Sequence, residues 1–218
     1  MAQSQPIDRE RRRPRPRIET LSDLIYGLSL SIGAISLVIT NSTASSADDI
    51  NRNILEFLFV FLILITSWIL YTSNMSVLPV ETRLVVFLNV LLLILVAIFP
   101  YLFDQLVSRL NTSDVQNYAS VLFTIDYGVT VLIMAAFAHI ISNEEKQLVA
   151  SSLVVPYKVA RTRVFILSLI VFASLAVPWD WTLYGVQVRF YVWAIPIIMY
   201  WFNQMTASPI QVSTQYRA

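Results

Sequence analysis

The sequence predicts an all-α integral membrane protein with six transmembrane helices, and three observations carry that reading. Of the 218 residues, 56% are hydrophobic and only 13% charged, where a soluble domain would carry about 25% charge. The charges fall almost wholly between apolar runs long enough to cross a bilayer, which takes roughly 20 helical residues. The segments between those runs are short, the longest spanning residues 142–163.

The apolar runs lie at 20–40, 54–73, 84–103, 118–141, 162–178 and 188–203. Aromatic residues suited to headgroup depth mark their ends: Trp68 and Tyr71, Tyr101, Tyr118, Trp179 and Trp181, Tyr200 and Trp201. Pro100 and Pro178 fall at run ends, where a missing backbone donor costs little, whereas Pro196 lies inside the last run and predicts a kink. Residues 1–16 read as a disordered basic tail with R-E-R-R-R-P-R-P-R at its core, 17–205 as the membrane domain and 206–218 as a short C-terminal tail. The basic tail suits an anchor on anionic lipid better than a nucleic-acid site. No apolar segment with a cleavage site follows close behind it, so a removable signal peptide is not expected.

With the N-terminus inside, only Arg52, Arg109 and Arg189 of the 15 lysines and arginines fall outside. That bias obeys the positive-inside rule for an even number of crossings and puts both termini in the cytoplasm. The outer segments carry Asp48, Asp49, Glu56, Asp104, Asp114 and Asp180. They form either an acidic mouth that concentrates cations or ordinary solvated loop charges. The segment 142–163, N-E-E-K-Q-L-V-A-S-S-L-V-V-P-Y-K-V-A-R over most of its length, is expected to lie along the inner surface.

Several chemistries fail for want of residues. Without cysteine there is no disulfide, thiol nucleophile or thiolate metal site, and a lone His139 makes no imidazole cluster. There is no glycine-rich phosphate loop, paired metal carboxylate or nucleophile–base pattern. Neither an enzyme, a cofactor nor a small-molecule substrate is expected.

The first apolar run opens with R-I-E-T-L-S-D, which puts Arg17, Ser22 and Asp23 at its mouth. An ionisable group costs roughly 2.5–3.5 kcal/mol at a membrane helix centre unless it is paired or faces a wet interior. Arg17 as a headgroup anchor and Asp23 as a helix-start residue are the simpler assignment. At 3.6 residues per turn, Leu28, Ser31, Ile32, Ile35 and Ile39 share one face. Ser22, Ser29 and Ser36 recur at spacing seven with Gly33 nearby, a stripe suited to close packing on a neighbouring helix. The aliphatic face either meets lipid or, if several copies surround an axis, forms stacked apolar rings with a hydroxyl ring from Ser31. Such rings gate by dewetting.

R-x-x-x-L-S-D resembles the R-x-x-x-F-S-D signature that opens the first helix of the transmembrane protein 175 family, endolysosomal and prokaryotic potassium channels. The length, six runs, basic N-terminus and L-L-I-L-V-A-I-F-P at 92–100 look like its prokaryotic single-repeat members. The resemblance implies a homotetramer in a prokaryotic plasma membrane, with the first helix lining a central pore and potassium as the permeant ion. It implies pore-lining roles for Leu28 and Ile35 and a transient potassium contact at Ser31. It also implies a polar network holding the helix through Arg17, Ser22 and Asp23, for which Trp68 and Asn74 are the candidate partners. Leu21 stands where the family has phenylalanine, and Ser31 where threonine is usual. Both departures bear on selectivity rather than architecture.

Asp126, in F-T-I-D-Y-G-V, lies about 12 Å into the fourth run at 1.5 Å per residue. It is either a functional intramembrane acid or a packing residue beside Tyr127. His139 is expected at the interface. A proton-coupled transporter using Asp126 and Asp23 is the rival to a channel, although no internal repeat of the kind transporters show is visible. A small membrane scaffold that conducts nothing is a third class.

Overall fold

The computed structural model describes residues 15–41, 46–78, 82–108, 110–143, 148–149 and 151–206. Among them are six helices: α1 (Arg15–Asn41), α2 (Ala47–Met75), α3 (Arg83–Val107), α4 (Ser113–Ile141), α5 (Ser151–Ala173) and α6 (Val188–Thr206). Four stretches among the described residues, α2, α3, α4 and Val154–Ala176, are long and apolar enough to cross a membrane, and Thr20–Ile35 of α1 is a shorter apolar helix. The N-terminal ends of α2 and α4 are capped by Ser46 and Thr112, which accept from the backbone N–H of Asp49 and Val115. After α5 the chain makes a 3₁₀ turn, Ser174–Ala176, and then a two-stranded hairpin of β1 (Thr182–Leu183) and β2 (Val186–Gln187). Tyr184 and Gly185 turn it with φ of 53° and 79°, as a two-residue hairpin turn of the mirror-image type requires.

The helices run up and down. Ser22 meets Tyr71 and Tyr26 meets Ser67, which sets α1 antiparallel to α2. Phe99 packs on both Phe123 and Tyr127 and Phe103 on Phe123, which does the same for α3 and α4. His139 Nδ1 lies 3.1 Å from Arg161 Nη1, so the guanidinium donates and the imidazole accepts between α4 and α5. The core is an aromatic cluster with Phe123 at its centre, 4.7 Å by ring centroid from both Phe99 and Trp193. Trp193 in turn donates its indole N–H to Ser174 Oγ at 3.0 Å, which satisfies the polar edge of a fully buried ring.

Four boundaries differ from the sequence expectation, each for a physical reason. Helix α1 is already formed at Arg15, before residue 17; Pro16 is tolerated near a helix N-terminus because the N–H it lacks has no helical partner there. Pro100 does not end a helix, because α3 continues through it to Val107. Within the segment 142–163 the chain is already α-helical at Ser151, and α5 carries Pro156 inside it. The fifth run leaves α-helical geometry at Ala173, before Pro178. Residues 1–14 and 207–218, most of the two tails, lie outside the described residues.

Arg189, counted in sequence among the outer-loop charges, is buried. Its Nε donates to Val177 O at 2.9 Å, and its Nη1 donates to Asn117 Oδ1 at 3.3 Å and to Ser120 Oγ. The guanidinium carbon stands 5.9 Å from the Trp179 ring centroid. One side chain at the start of α6 thus ties α4 to the chain that leaves α5, as only a planar five-donor group can.

Helices α4 and α5 pack closely at Gly128 on α4, where an added Cβ would lie 2.7 Å from ring carbons of Phe172 on α5. Gly128→Val is expected to cost about 1–3 kcal/mol through overpacking. It should show as a lowered unfolding midpoint in detergent, and an unchanged midpoint would mean that α4 and α5 do not meet there.

Candidate functional site

Helix α1 has two opposite faces of different chemistry. Ser22, Tyr26 and Ser29, with Gly33, recur at steps of three and four and so lie on one side. Leu21, Leu24, Leu28, Ser31 and Ile35 centre about 150° away at 3.6 residues per turn. The first set faces inward, with Ser22 at 0%, Tyr26 at 1% and Ser29 at 1% exposure and Gly33 half-buried. The second is open, with Leu24 at 66%, Leu28 at 61% and Ile35 at 58%. An apolar helix inside a protein normally turns its aliphatic side to the core. This one turns its hydroxyls there.

The hydroxyls are turned inward because each finds a partner. Ser22 Oγ is 2.6 Å from Tyr71 Oη and Tyr26 Oη is 2.9 Å from Ser67 Oγ, both on α2. Ser29 Oγ donates to the backbone carbonyl of Val96 on α3 at 2.9 Å. That carbonyl is four residues before Pro100, which has no N–H to offer it. The proline leaves an acceptor open inside α3, and a serine from α1 closes it. At Gly33 a Cβ would sit 4.0 Å from Val60 Cγ1 on α2, an ordinary contact, so the approach of the two helices does not require glycine there. Hydrogen bonds and small residues are what hold helices together where lipid is as apolar as leucine.

At the N-terminal end of α1, Asp23 is exposed and its Oδ1 accepts the indole N–H of Trp68 at 2.9 Å. Asn74, the other candidate partner, is buried near the end of α2, and its side chain makes no hydrogen bond to a described residue of α1. Arg17 is on α1, but its side chain, like those of Ser36 and Ile39, lies outside the described residues. Ser31 and Ile32 are exposed along with Leu28 and Ile35. The Ser31 hydroxyl donates to Gly27 O at 2.8 Å, so its proton is spent on its own helix and its lone pairs remain to accept.

Tyr26, on this helix, and Pro100, on α3, were not singled out by sequence reasoning as parts of its seat. The signal for Tyr26 was present, since it lies four residues after Ser22 and three before Ser29. The link from Pro100 to Ser29 joins residues far apart in the chain and had no local signature. Asp126 is buried near the middle of α4. Its Oδ2, together with Asn89 Oδ1 and Thr130 Oγ1, has no hydrogen-bond partner among the described residues. No hydrogen bond among the described residues joins Asp126 to Asp23. Among the described residues no group of three or more histidines, cysteines or acids is placed to hold a metal.

The structure superposes on the crystal structure of a lysosomal potassium-selective channel TMEM175 homolog from Chamaesiphon Minutus, with a TM-score of 0.60. The match covers 88% of this chain and 97% of the other at 15% sequence identity. The chain has the TMEM175-homolog fold. No protein-family model matches the sequence, and no curated protein does. The fold assignment thus rests on three-dimensional likeness across almost the whole of both chains.

Ser29→Ala strands the Val96 carbonyl and is expected to cost about 1–3 kcal/mol, the range for a buried group left without a partner. Pro100→Ala restores the helix's own donor, so the same substitution should cost clearly less in that background. Unfolding of the four proteins in detergent gives the coupling; equal costs in both backgrounds would break the link drawn between Pro100 and α1.

Proposed function

We propose that this protein is a member of the TMEM175 family and a potassium-preferring cation channel, a homotetramer of six-span subunits whose α1 helices line the central pore. The observation that carries the reading is the orientation of α1: its hydrogen-bonding side is used up on α2 and α3, and its aliphatic side is left without a partner. The fold supports it, since it is shared with a solved structure described as a lysosomal potassium-selective channel TMEM175 homolog. Both termini are cytoplasmic in this reading, with the basic tail against anionic lipid in a prokaryotic plasma membrane.

In the tetramer, Leu28, Ile32 and Ile35 form narrow apolar rings around the axis, which control conduction by wetting and dewetting. Ser31 stands between them. Its oxygen, with the proton already engaged by Gly27, offers lone pairs that replace part of a potassium ion's water shell for a moment. The contact is weak, as conduction requires an ion to leave as readily as it enters. The C-terminal end of α1 points its partial negative charge at the outer mouth, which favours cations there. Asp23 and Trp68, with Ser22 and Tyr71, are positioning groups that hold the pore helix by its inner end. No cofactor takes part.

The rival, a proton-coupled transporter, draws support from Asp126, buried with one oxygen unpartnered. Asp23 weakens it, because that acid is exposed and engaged by Trp68 on another helix. Potassium and sodium flux from vesicles, with and without a proton gradient, separates the two. The channel reading expects passive potassium flux that needs no gradient and rises several-fold in Leu28→Ala or Ile35→Ala. Unchanged flux in both variants would remove those residues from the pore, and uptake that requires a proton gradient and is lost in Asp126→Asn would favour the transporter.

A further inference from the structure

A cavity of about 230 Å³ lies between α2, α4, α5 and α6, away from the exposed face of α1. Its walls are mainly aliphatic, with Ile63, Met134 and Leu167 among them. Five hydroxyl-bearing residues line it, one of them Tyr200, whose Oη accepts from Gln204 Nε2. Thr66 accepts the indole N–H of Trp201 and Ser67 is bonded to Tyr26 on α1. Thr130 is only 4% exposed and its Oγ1 has no partner among the described residues. Tyr127, equally buried, makes no side-chain hydrogen bond there either.

A buried hydroxyl without a partner costs about 1–3 kcal/mol. A lipid tail entering the cavity leaves that cost in place, whereas a molecule with its own hydroxyl removes it. No acid lines the cavity, and its one charged residue, Arg163, is exposed. An ionised group deep inside would therefore be unpaired, which is far more costly than a neutral one. The volume falls below the roughly 300–1,000 Å³ of drug-sized pockets, so the occupant's apolar body is short.

We propose that this cavity binds a small neutral amphiphile, of the alkanol or alkylphenol class, whose hydroxyl pairs with Thr130 while its hydrocarbon lies among Ile63, Met134 and Leu167. The site touches the pore helix through one bond. Ser67 lines the cavity and holds Tyr26, so an occupant that draws on the Ser67 hydroxyl loosens the seat of α1. Binding itself does not depend on whether the protein conducts ions.

The test uses the full chain in phosphatidylcholine vesicles and octanol carrying a diazirine, with labelled residues mapped by mass spectrometry and 1-octanol and octanoate as competitors. The expected result is saturable labelling of α2 and α4 residues at the cavity, competed by 1-octanol. Leu167→Trp or Ala160→Phe, which fill the space, should abolish it. Thr130→Val, nearly isosteric, should weaken 1-octanol competition by about two- to tenfold, the span of one hydrogen bond. This last arm decides the matter if neither filling variant folds. Labelling that never saturates would mean a lipid-filled groove, and no labelling a water-filled one. Saturable labelling that survives both filling variants, or octanoate competing as well as 1-octanol, would also overturn the proposal.

Discussion

The structure depends on the hydrogen-bonded seam that seats α1 by its hydroxyl side. Three bonds make it, from Ser22, Tyr26 and Ser29 to Tyr71, Ser67 and the Val96 carbonyl. In water such bonds would contribute little to holding two helices together, since each partner could bond solvent instead. Inside a bilayer, hydrophobic burial does not drive one helix onto another, so polar pairing and close packing of small residues decide which face turns in. With the polar side satisfied against α2 and α3, the aliphatic side has only lipid or other copies of itself to meet.

That constraint ties the rest of the molecule to the proposed pathway. Helices α2 and α3 supply the acceptors, and the aromatic cluster of Phe99, Phe123 and Trp193 holds α3 on α4 and α6. Arg189 then clamps the start of α6 to α4 and to the chain following α5. Pro100 is the least expected part of this frame. Its missing donor turns an ordinary stretch of α3 into a docking point for the neighbouring helix.

Much of this was legible in the sequence, because membrane thickness imposes a length on apolar runs and the seven-residue serine spacing in α1 has one geometric meaning. The start of α5 was not legible. Between 151 and 161 the residues are mixed in polarity, so hydropathy gives no boundary, and Pro156 suggests a break that does not occur. The burial of Arg189 was not legible for a similar reason: a charge beside a loop carries no sign of burial until partners from distant segments are seen around it. Of the candidate site, the partition of α1 into two faces followed from periodicity. Trp68 opposite Asp23 came from the family resemblance, and the Ser29 contact needed three dimensions because its acceptor is a backbone group freed by a residue elsewhere.

In the proposed channel the Leu28 side of α1 looks onto an axis shared with other copies. The chain has no cysteine, so a single one introduced at position 28 carries a nitroxide without background. In vesicles the account predicts strong dipolar broadening between labels and little contact with lipid-dissolved oxygen. A narrow, unbroadened spectrum with ready access to oxygen would place that face in the acyl chains and contradict the account.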